Sequence, residues 1–220
     1  MGTDIHGGFI KLNQDKTTTP VKTFWGMDRN YTLFAILAGV RNGYGFAGVY
    51  RHEPVTPIAE DRGIPDFVNS DEEGQSTQFY NPWFGAPYGD SDEQEFDTWL
   101  GEHSFTYMTV QEILDWEGWD NQLQYGGVIT REEYENTIAH GKDPEYWAGA
   151  VNGPQVIKIS QHDYEKMKKE NYPTDKITHI TCYWKNQQTL RDDFDWFLKE
   201  IKRIADEHGP DTYLVIGFDS

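Results

Sequence analysis

The sequence predicts a mixed α+β fold, in which a central sheet includes strands from both ends of the chain and several helices pack on it. Residues 3–12 and 213–218 are short, largely apolar runs bounded by turn residues, as is typical of strands. Between them, capping motifs and one long apolar stripe indicate helices. We expect one domain over residues 1–220, because this length can bury a sizeable core without disulfides.

Residues 28–42 predict a buried helix close to the first strand. Its apolar side chains recur at spacings of three and four, at Leu33, Phe34, Ile36, Leu37 and Val40. Asp28 or Asn30 can cap its start, and Gly39 and Gly43 stand where the helix should end.

Residues 53–101 predict a long irregular insertion, since prolines recur and neither a helical nor a strand period is sustained. The segment is acidic but also carries aromatic residues, among them Phe79, Tyr80, Trp83, Phe84, Tyr88 and Trp99. Aromatic residues argue against complete disorder, so we expect it to be ordered against the body or another subunit.

The second half of the chain predicts further helices and strands. Three capping-box pairs mark helix starts, at Thr109 with Glu112, Thr130 with Glu133, and Ser160 with Asp163. An apolar stripe predicts a helix over residues 190–207 that ends before Gly209 and Pro210. Strands are predicted over residues 156–159 and 177–184, and we expect them in the same sheet as the N-terminal strand.

Composition narrows the functional classes. The net charge of −18 argues against wrapping of long nucleic acid, because phosphate contacts need clustered Lys and Arg. Such acidity either keeps an abundant protein soluble or mimics nucleic acid towards a basic partner. Cys182 is the single cysteine, and no apolar run approaches the ~18 residues of a membrane helix. We therefore expect a cytoplasmic protein with no membrane partner.

Two arginines at the ends of the first helix predict a site for an anion. Arg29 and Arg41 flank the apolar segment and stand beside Tyr31 and Asn42. Arginines clamp phosphates, and aromatic faces stack on nucleobases. Trp25, Tyr31 and Trp83 are the aromatic candidates, although most aromatic residues pack in cores. Pairing of both arginines with surface acids explains the same pattern equally well.

A second candidate cluster involves the two termini. Asp4 and His6 are two residues apart, so on a strand their side chains lie on one face. If the terminal strands are neighbours, Asp219 joins them, and the three side chains make a plausible set for a divalent metal. The competing interpretation is that acids commonly end strands and that D-x-H arises by chance. Motifs such as HExxH, GxSxG and GxxxxGK[ST] are absent from the sequence.

Five motifs spread along the chain resemble a widespread family of phage and prophage proteins. They are GTDIH at the start, DRNYTLFAILAGVRN, RGIPD at residues 62–66, HSFTYMT at residues 103–109 and FDS at the end. The family pattern is GCDIH, RNYxLFAxLAxVR, PRGLPxD, HSxSWLT and FDN. The chain departs from it at Thr3, at Ser220 and before Arg62, where the family proline is missing, so roles at those positions are not carried over.

The resemblance implies an anti-defence role in a bacterial host. Small phage proteins without catalytic signatures include sponges, which bind the cyclic oligonucleotide signals of anti-phage defence without cleaving them. By this analogy we expect a homo-oligomer that needs no cofactor and binds a small anionic nucleotide. The expected ligand residues are Trp25, Arg29, Tyr31, Arg41, Asn42, Arg62, Asp66, Trp83 and His103.

Two alternatives remain beside the sponge. One is a metal-dependent phosphoesterase that uses Asp4, His6 and Asp219. The other is an acidic protein that binds and inhibits a host factor.

Overall fold

The chain folds into a mixed α+β structure, as predicted. The structure is a computed structural model that describes residues 2–21, 29–70, 75–76, 78–79 and 98–219. In chain order its elements are β1 (Asp4–Leu12), β2 (Thr18–Val21), α1 (Tyr31–Ala38), β3 (Gln75–Ser76), β4 (Thr98–Trp99), β5 (His103–Thr109), α2 (Val110–Leu114), β6 (Gln124–Thr130), α3 (Arg131–Asn136), β7 (Lys158–Ser160), α4 (Gln161–Lys169), β8 (His179–Lys185), α5 (Leu190–Asp193), α6 (Asp195–His208) and β9 (Tyr213–Asp219).

Two compact units make up the fold. The first contains Met1–Asn42, Val55–Gly118 and Phe194–Ser220, and the second contains Gly43–Pro54 and Trp119–Asp193. Within the described part of the chain, no helix combines the length and apolar character needed to cross a membrane.

The first unit contains a four-stranded antiparallel sheet with strand order β2-β1-β9-β5. Both terminal strands therefore lie side by side at its centre, which confirms that the central sheet includes them. One face packs against α1, where the ring centres of Phe34 and Phe218 are 5.3 Å apart and the ring planes are inclined at 62°. The other face contributes to a buried cluster of Ile10, Val68, Phe79, Leu100 and Val215.

Helix α1 begins and ends as the sequence predicts. The side chain of Asn30 accepts a hydrogen bond from the amide of Leu33, and Gly39 ends the helix in the left-handed conformation. Every residue from Tyr31 to Ala38 is buried, which explains why the segment is apolar all round. The other proposed cap, Asp28, lies outside the described residues.

The second unit contains a three-stranded sheet with order β6-β8-β7, packed by α3 and α4. Its core is formed by Ile129, Tyr134, Tyr164, Ile177, Ile180 and Cys182. The predicted caps Thr130 and Ser160 each accept a hydrogen bond from the third helical amide. Burial raises the pKa of the Cys182 thiol to about 12, so it behaves as a small core hydrophobe.

Two sequence predictions about long-range organisation are wrong. The strands near residues 158 and 180 form their own sheet rather than joining β1 and β9. The predicted helix over residues 190–207 is two helices, because the backbone turns at Phe194 (φ −110°, ψ 20°). Of the predicted insertion over residues 53–101, residues 55–70 and the short β3-β4 pair belong to the first unit, and much of the rest lies outside the described residues.

Candidate functional site

The terminal strands bring acidic and imidazole side chains together at one end of the first sheet. Asp4 pairs with Asp219 across β1 and β9, and His6 pairs with Gly217. The amide of Asp4 donates to Oδ1 of Asp219 at 3.1 Å, and Nε2 of His6 lies 3.5 Å from Oδ2 of Asp219. The condition set by the sequence, that the terminal strands be neighbours, is therefore met, and the Asp219 side chain contacts both the backbone of Asp4 and the side chain of His6.

Arg29 binds Asp4 through both oxygens of its carboxylate. Its Nε donates to Oδ1 at 2.6 Å and its Nη2 donates to Oδ2 at 2.8 Å. The hydrogen bond and positive charge of Arg29 hold the pKa of Asp4 below its ordinary value, although burial opposes this. The Arg29 side chain remains 55% exposed, so a dissolved anion can still reach the guanidinium.

Arg41 reaches the same end of β1 from the other end of α1. Its Nε donates to Oγ1 of Thr3 at 2.8 Å, and its guanidinium carbon lies 5.3 Å from the centre of the Tyr31 ring. The hydroxyl of Tyr31 accepts a 3.5 Å hydrogen bond from the amide of Thr3. Arg41 has a positive φ of 55°, which is uncommon for a residue with a side chain. The two arginines thus contact consecutive residues of the chain, Thr3 and Asp4.

Aromatic rings and a second histidine complete the surroundings. The ring of Trp99 in β4 lies 4.7 Å from the imidazole of His6. On β5, Nδ1 of His103 is 3.0 Å from Oγ of Ser104, and the His103 ring stacks at 6.5 Å on Phe218. Ser104 has a φ of 53° and lies at an irregularity in the β5-β9 register. We call the group formed by Thr3, Asp4, His6, Arg29, Tyr31, Arg41, Trp99 and Asp219 the sheet-end cluster.

The other predicted ligand residues have different surroundings. Both polar atoms of the Asn42 amide bind the backbone of Val55, at 2.7 and 2.8 Å. Arg62 forms an ion pair with Glu112 at 2.8 Å and donates to the carbonyl of Tyr107 at 3.1 Å. Asp66 is exposed in a turn, and Trp25 and Trp83 lie outside the described residues.

The cluster offers limited support for the metal set that the sequence suggested. Among the described residues, no group of three His, Cys, Asp or Glu side chains is arranged to hold a metal ion. Each oxygen of Asp4 already accepts one hydrogen bond from Arg29, so a metal ion bound there would lie beside a guanidinium charge.

Sequence reasoning missed two members of the site and one contact. Trp99 lies in the segment predicted to be irregular, and the short β3-β4 pair brings it to His6. Thr3 departs from the family motif, yet it accepts the hydrogen bond of Arg41. A side chain at Gly2 would place its Cβ 2.5 Å from Nη1 of Arg29, so this glycine gives the guanidinium its space.

Comparison with protein-family models, with curated proteins and with solved structures gives no match. The candidate site is therefore interpreted from its own geometry.

Proposed function

We propose that the chain binds a small anionic nucleotide at the sheet-end cluster and holds it without cleaving it. The observation that carries this proposal is the contact of Arg29 with Asp4 and of Arg41 with the preceding residue Thr3, with the Arg41 guanidinium over the ring of Tyr31. Guanidinium groups suit phosphate, and an aromatic face suits a base. The resemblance to phage proteins adds the ligand class, a cyclic oligonucleotide of bacterial anti-phage defence, and a role in immune evasion.

The ion pair between Asp4 and Arg29 argues against Asp4 as a general base. A general base needs an available carboxylate or imidazole next to the reacting group. Here the Asp4 carboxylate has a depressed pKa and both oxygens are held by Arg29. In this arrangement Asp4 orients an arginine, and a proton-transfer role would require the pair to separate.

Metal-dependent hydrolysis of a phosphoester is the second candidate, supported by the contacts of Asp219 with the amide of Asp4 and with the imidazole of His6. It predicts that added Mg²⁺ or Mn²⁺ permits turnover and that His6→Ala abolishes it. The sponge proposal instead predicts that His6→Ala leaves ligand intact in every condition.

A retention experiment tests the proposal. The purified protein is incubated with cyclic di- and trinucleotides, with EDTA or with Mg²⁺, separated from free ligand, heat-denatured and chromatographed. We expect intact ligand in stoichiometric amount and at least about a tenfold loss of affinity in Arg29→Ala and in Arg41→Ala, since a hydrogen bond to a charged group contributes about 1.5–3 kcal/mol.

Arg191→Ala is the matched control, because Arg191 also forms an exposed ion pair, 2.8 Å from Asp120, but in the second unit. Its affinity should equal that of the wild type. Cleaved products that disappear with EDTA would replace the sponge by the hydrolase. If no ligand is retained and no cleaved products form, both candidates are rejected and the search moves to a protein partner of this acidic chain.

A further inference from the structure

We infer that the sheet-end cluster selects nucleotides whose phosphates are all singly charged diesters, and that Asp4 and Asp219 impose this preference. The inference rests on the proposed function and concerns which nucleotides that same site accepts. It assigns to the two carboxylates a role in specificity.

The sheet-end cluster contains two arginines, Arg29 and Arg41, and two carboxylates, Asp4 and Asp219, at the same strand ends. A phosphodiester carries one negative charge, whereas a terminal phosphomonoester carries about −1.5 to −2 at pH 7. The second charge of a monoester therefore adds repulsion from the carboxylates of Asp4 and Asp219.

The carboxylates are held in place, so they do not move away from an incoming anion. Asp4 is part of β1, its amide is bonded to Asp219, and its side chain is bonded to Arg29 through two oxygens. Because Nε and Nη2 of Arg29 face Asp4, any phosphate bound by this arginine lies within one guanidinium width of a carboxylate.

Three forms of each nucleotide separate the effect of the monoester charge on affinity from the effect of ring opening. The probes are cyclic di-AMP and cyclic tri-AMP, each compared with its linear form carrying a 5′-phosphate and its linear form lacking that phosphate. Ring opening is common to both linear forms, and only the monoester distinguishes them. We expect the cyclic form to bind best and the 5′-phosphate to weaken binding of the linear form, although it adds negative charge near two arginines.

Asp4→Asn and Asp219→Asn test the origin of the preference. Each removes one negative charge and keeps a single amide oxygen in place of two carboxylate oxygens, so Asp4→Asn can accept only one of the two hydrogen bonds that Arg29 donates. We expect the affinity ratio of 5′-phosphorylated to unphosphorylated linear form to rise about tenfold in each variant, because a partly screened charge is removed. Because both linear forms are measured in the same variant, the ratio removes any loss of affinity that they share, such as one caused by a less firmly held Arg29 side chain. Asp120→Asn, the acid of the matched pair with Arg191, should leave the ratio unchanged.

The outcomes separate the two proposals. One outcome is that a cyclic form binds tightly while the 5′-phosphorylated linear form binds as well as, or better than, the unphosphorylated linear form. That result overturns the diester preference and leaves the nucleotide-binding function standing. A preference that persists unchanged in both variants overturns the role of the carboxylates. If none of the probes binds, the proposed function fails and the preference fails with it.

Discussion

At the scale of single residues, similar ion pairs have different consequences because of what surrounds them. The pairs Arg29 with Asp4 and Arg191 with Asp120 have nearly the same donor-acceptor distances, 2.6 and 2.8 Å, and similarly exposed arginines. Exposed pairs of this kind contribute little to stability. Only the first pair adjoins a second arginine, an aromatic face and a histidine, and this is why it is assigned a function.

Gly2→Ala should weaken ligand binding without destabilising the fold. The new Cβ would lie 2.5 Å from Nη1 of Arg29, the far end of a flexible side chain, so the guanidinium should shift while the backbone stays. We expect a several-fold loss of affinity and a change in the free energy of unfolding of no more than about 0.5 kcal/mol. Calorimetric titration with the cyclic nucleotide recovered in the retention experiment measures the affinity. Urea unfolding measures the free energy of unfolding.

A double-mutant cycle provides the control for this prediction. If Gly2 acts through Arg29, adding Gly2→Ala to Arg29→Ala should cause no further loss of affinity. Additive losses would show that Gly2 acts on the ligand by another route.

Residue types at the site were predictable where the information is local. The spacing of Asp4 and His6 placed both on one face of a strand, and the arginines flanking α1 were identified from their charge in an acidic chain. The partners were not predictable, because the contact of Trp99 with His6 and that of Arg41 with Thr3 depend on residues far apart in sequence. Asn42 shows the same limit, since its amide binds the backbone of Val55.

At the scale of elements, the close pairing of β1 with β9 depends on a glycine. Gly7 has a φ of 119°, and a Cβ there would lie 2.0 Å from the carbonyl oxygen of Val215. Backbone atoms of a central strand cannot move aside as a side-chain end can. The sheet end that carries Asp4 and Asp219 therefore requires a glycine at this position.

Gly7→Ala should cost more than about 3 kcal/mol in the free energy of unfolding, because backbone strain and a clash with a neighbouring strand add together. Gly63→Ala is the matched control, since Gly63 also has a positive φ, of 80°, but a Cβ there meets nothing within 4 Å. It should cost about 1 kcal/mol. Urea unfolding of both variants measures the difference, and equal costs would show that the close approach in β1 is unimportant.

Helix starts were predicted well because capping is local, whereas sheet membership was not. Thr109 and Glu112 form the complete capping box that their spacing indicated. The apolar stripe over residues 190–207 gave no sign of the turn at Phe194, because the helical spacing of apolar residues continues across it.

Strands β5 and β6 were not predicted, and in β6 the adjacent Gly126 and Gly127 weaken the strand signal. A Cβ at Gly127 would meet Trp147 at 2.7 Å, a packing requirement that only the fold reveals.

At the scale of the whole molecule, excess negative charge opposes compaction. The chain has 37 acidic and 19 basic residues, for a net charge of −18. Like charges destabilise a compact state through self-repulsion. Exposed attractive pairs, such as Lys202 with Asp206, offset this only slightly, since each contributes about 0–1 kcal/mol.

Sodium chloride should therefore stabilise the fold while it weakens ligand binding. Salt shortens the range of charge interactions from about 30 Å at 0.01 M to about 3 Å at 1 M, so it screens the repulsion among the excess acids. We expect the thermal midpoint to rise by about 2–4 °C between low and high salt, equivalent to about 1 kcal/mol. Chloride is used because sulfate also stabilises by exclusion from the surface.

The same salt should lower the affinity of the cyclic nucleotide, because Arg29 and Arg41 bind it through charge. If both quantities fall together, the acidic surface does not oppose folding; if affinity does not change with salt, the two arginines do not bind a phosphate.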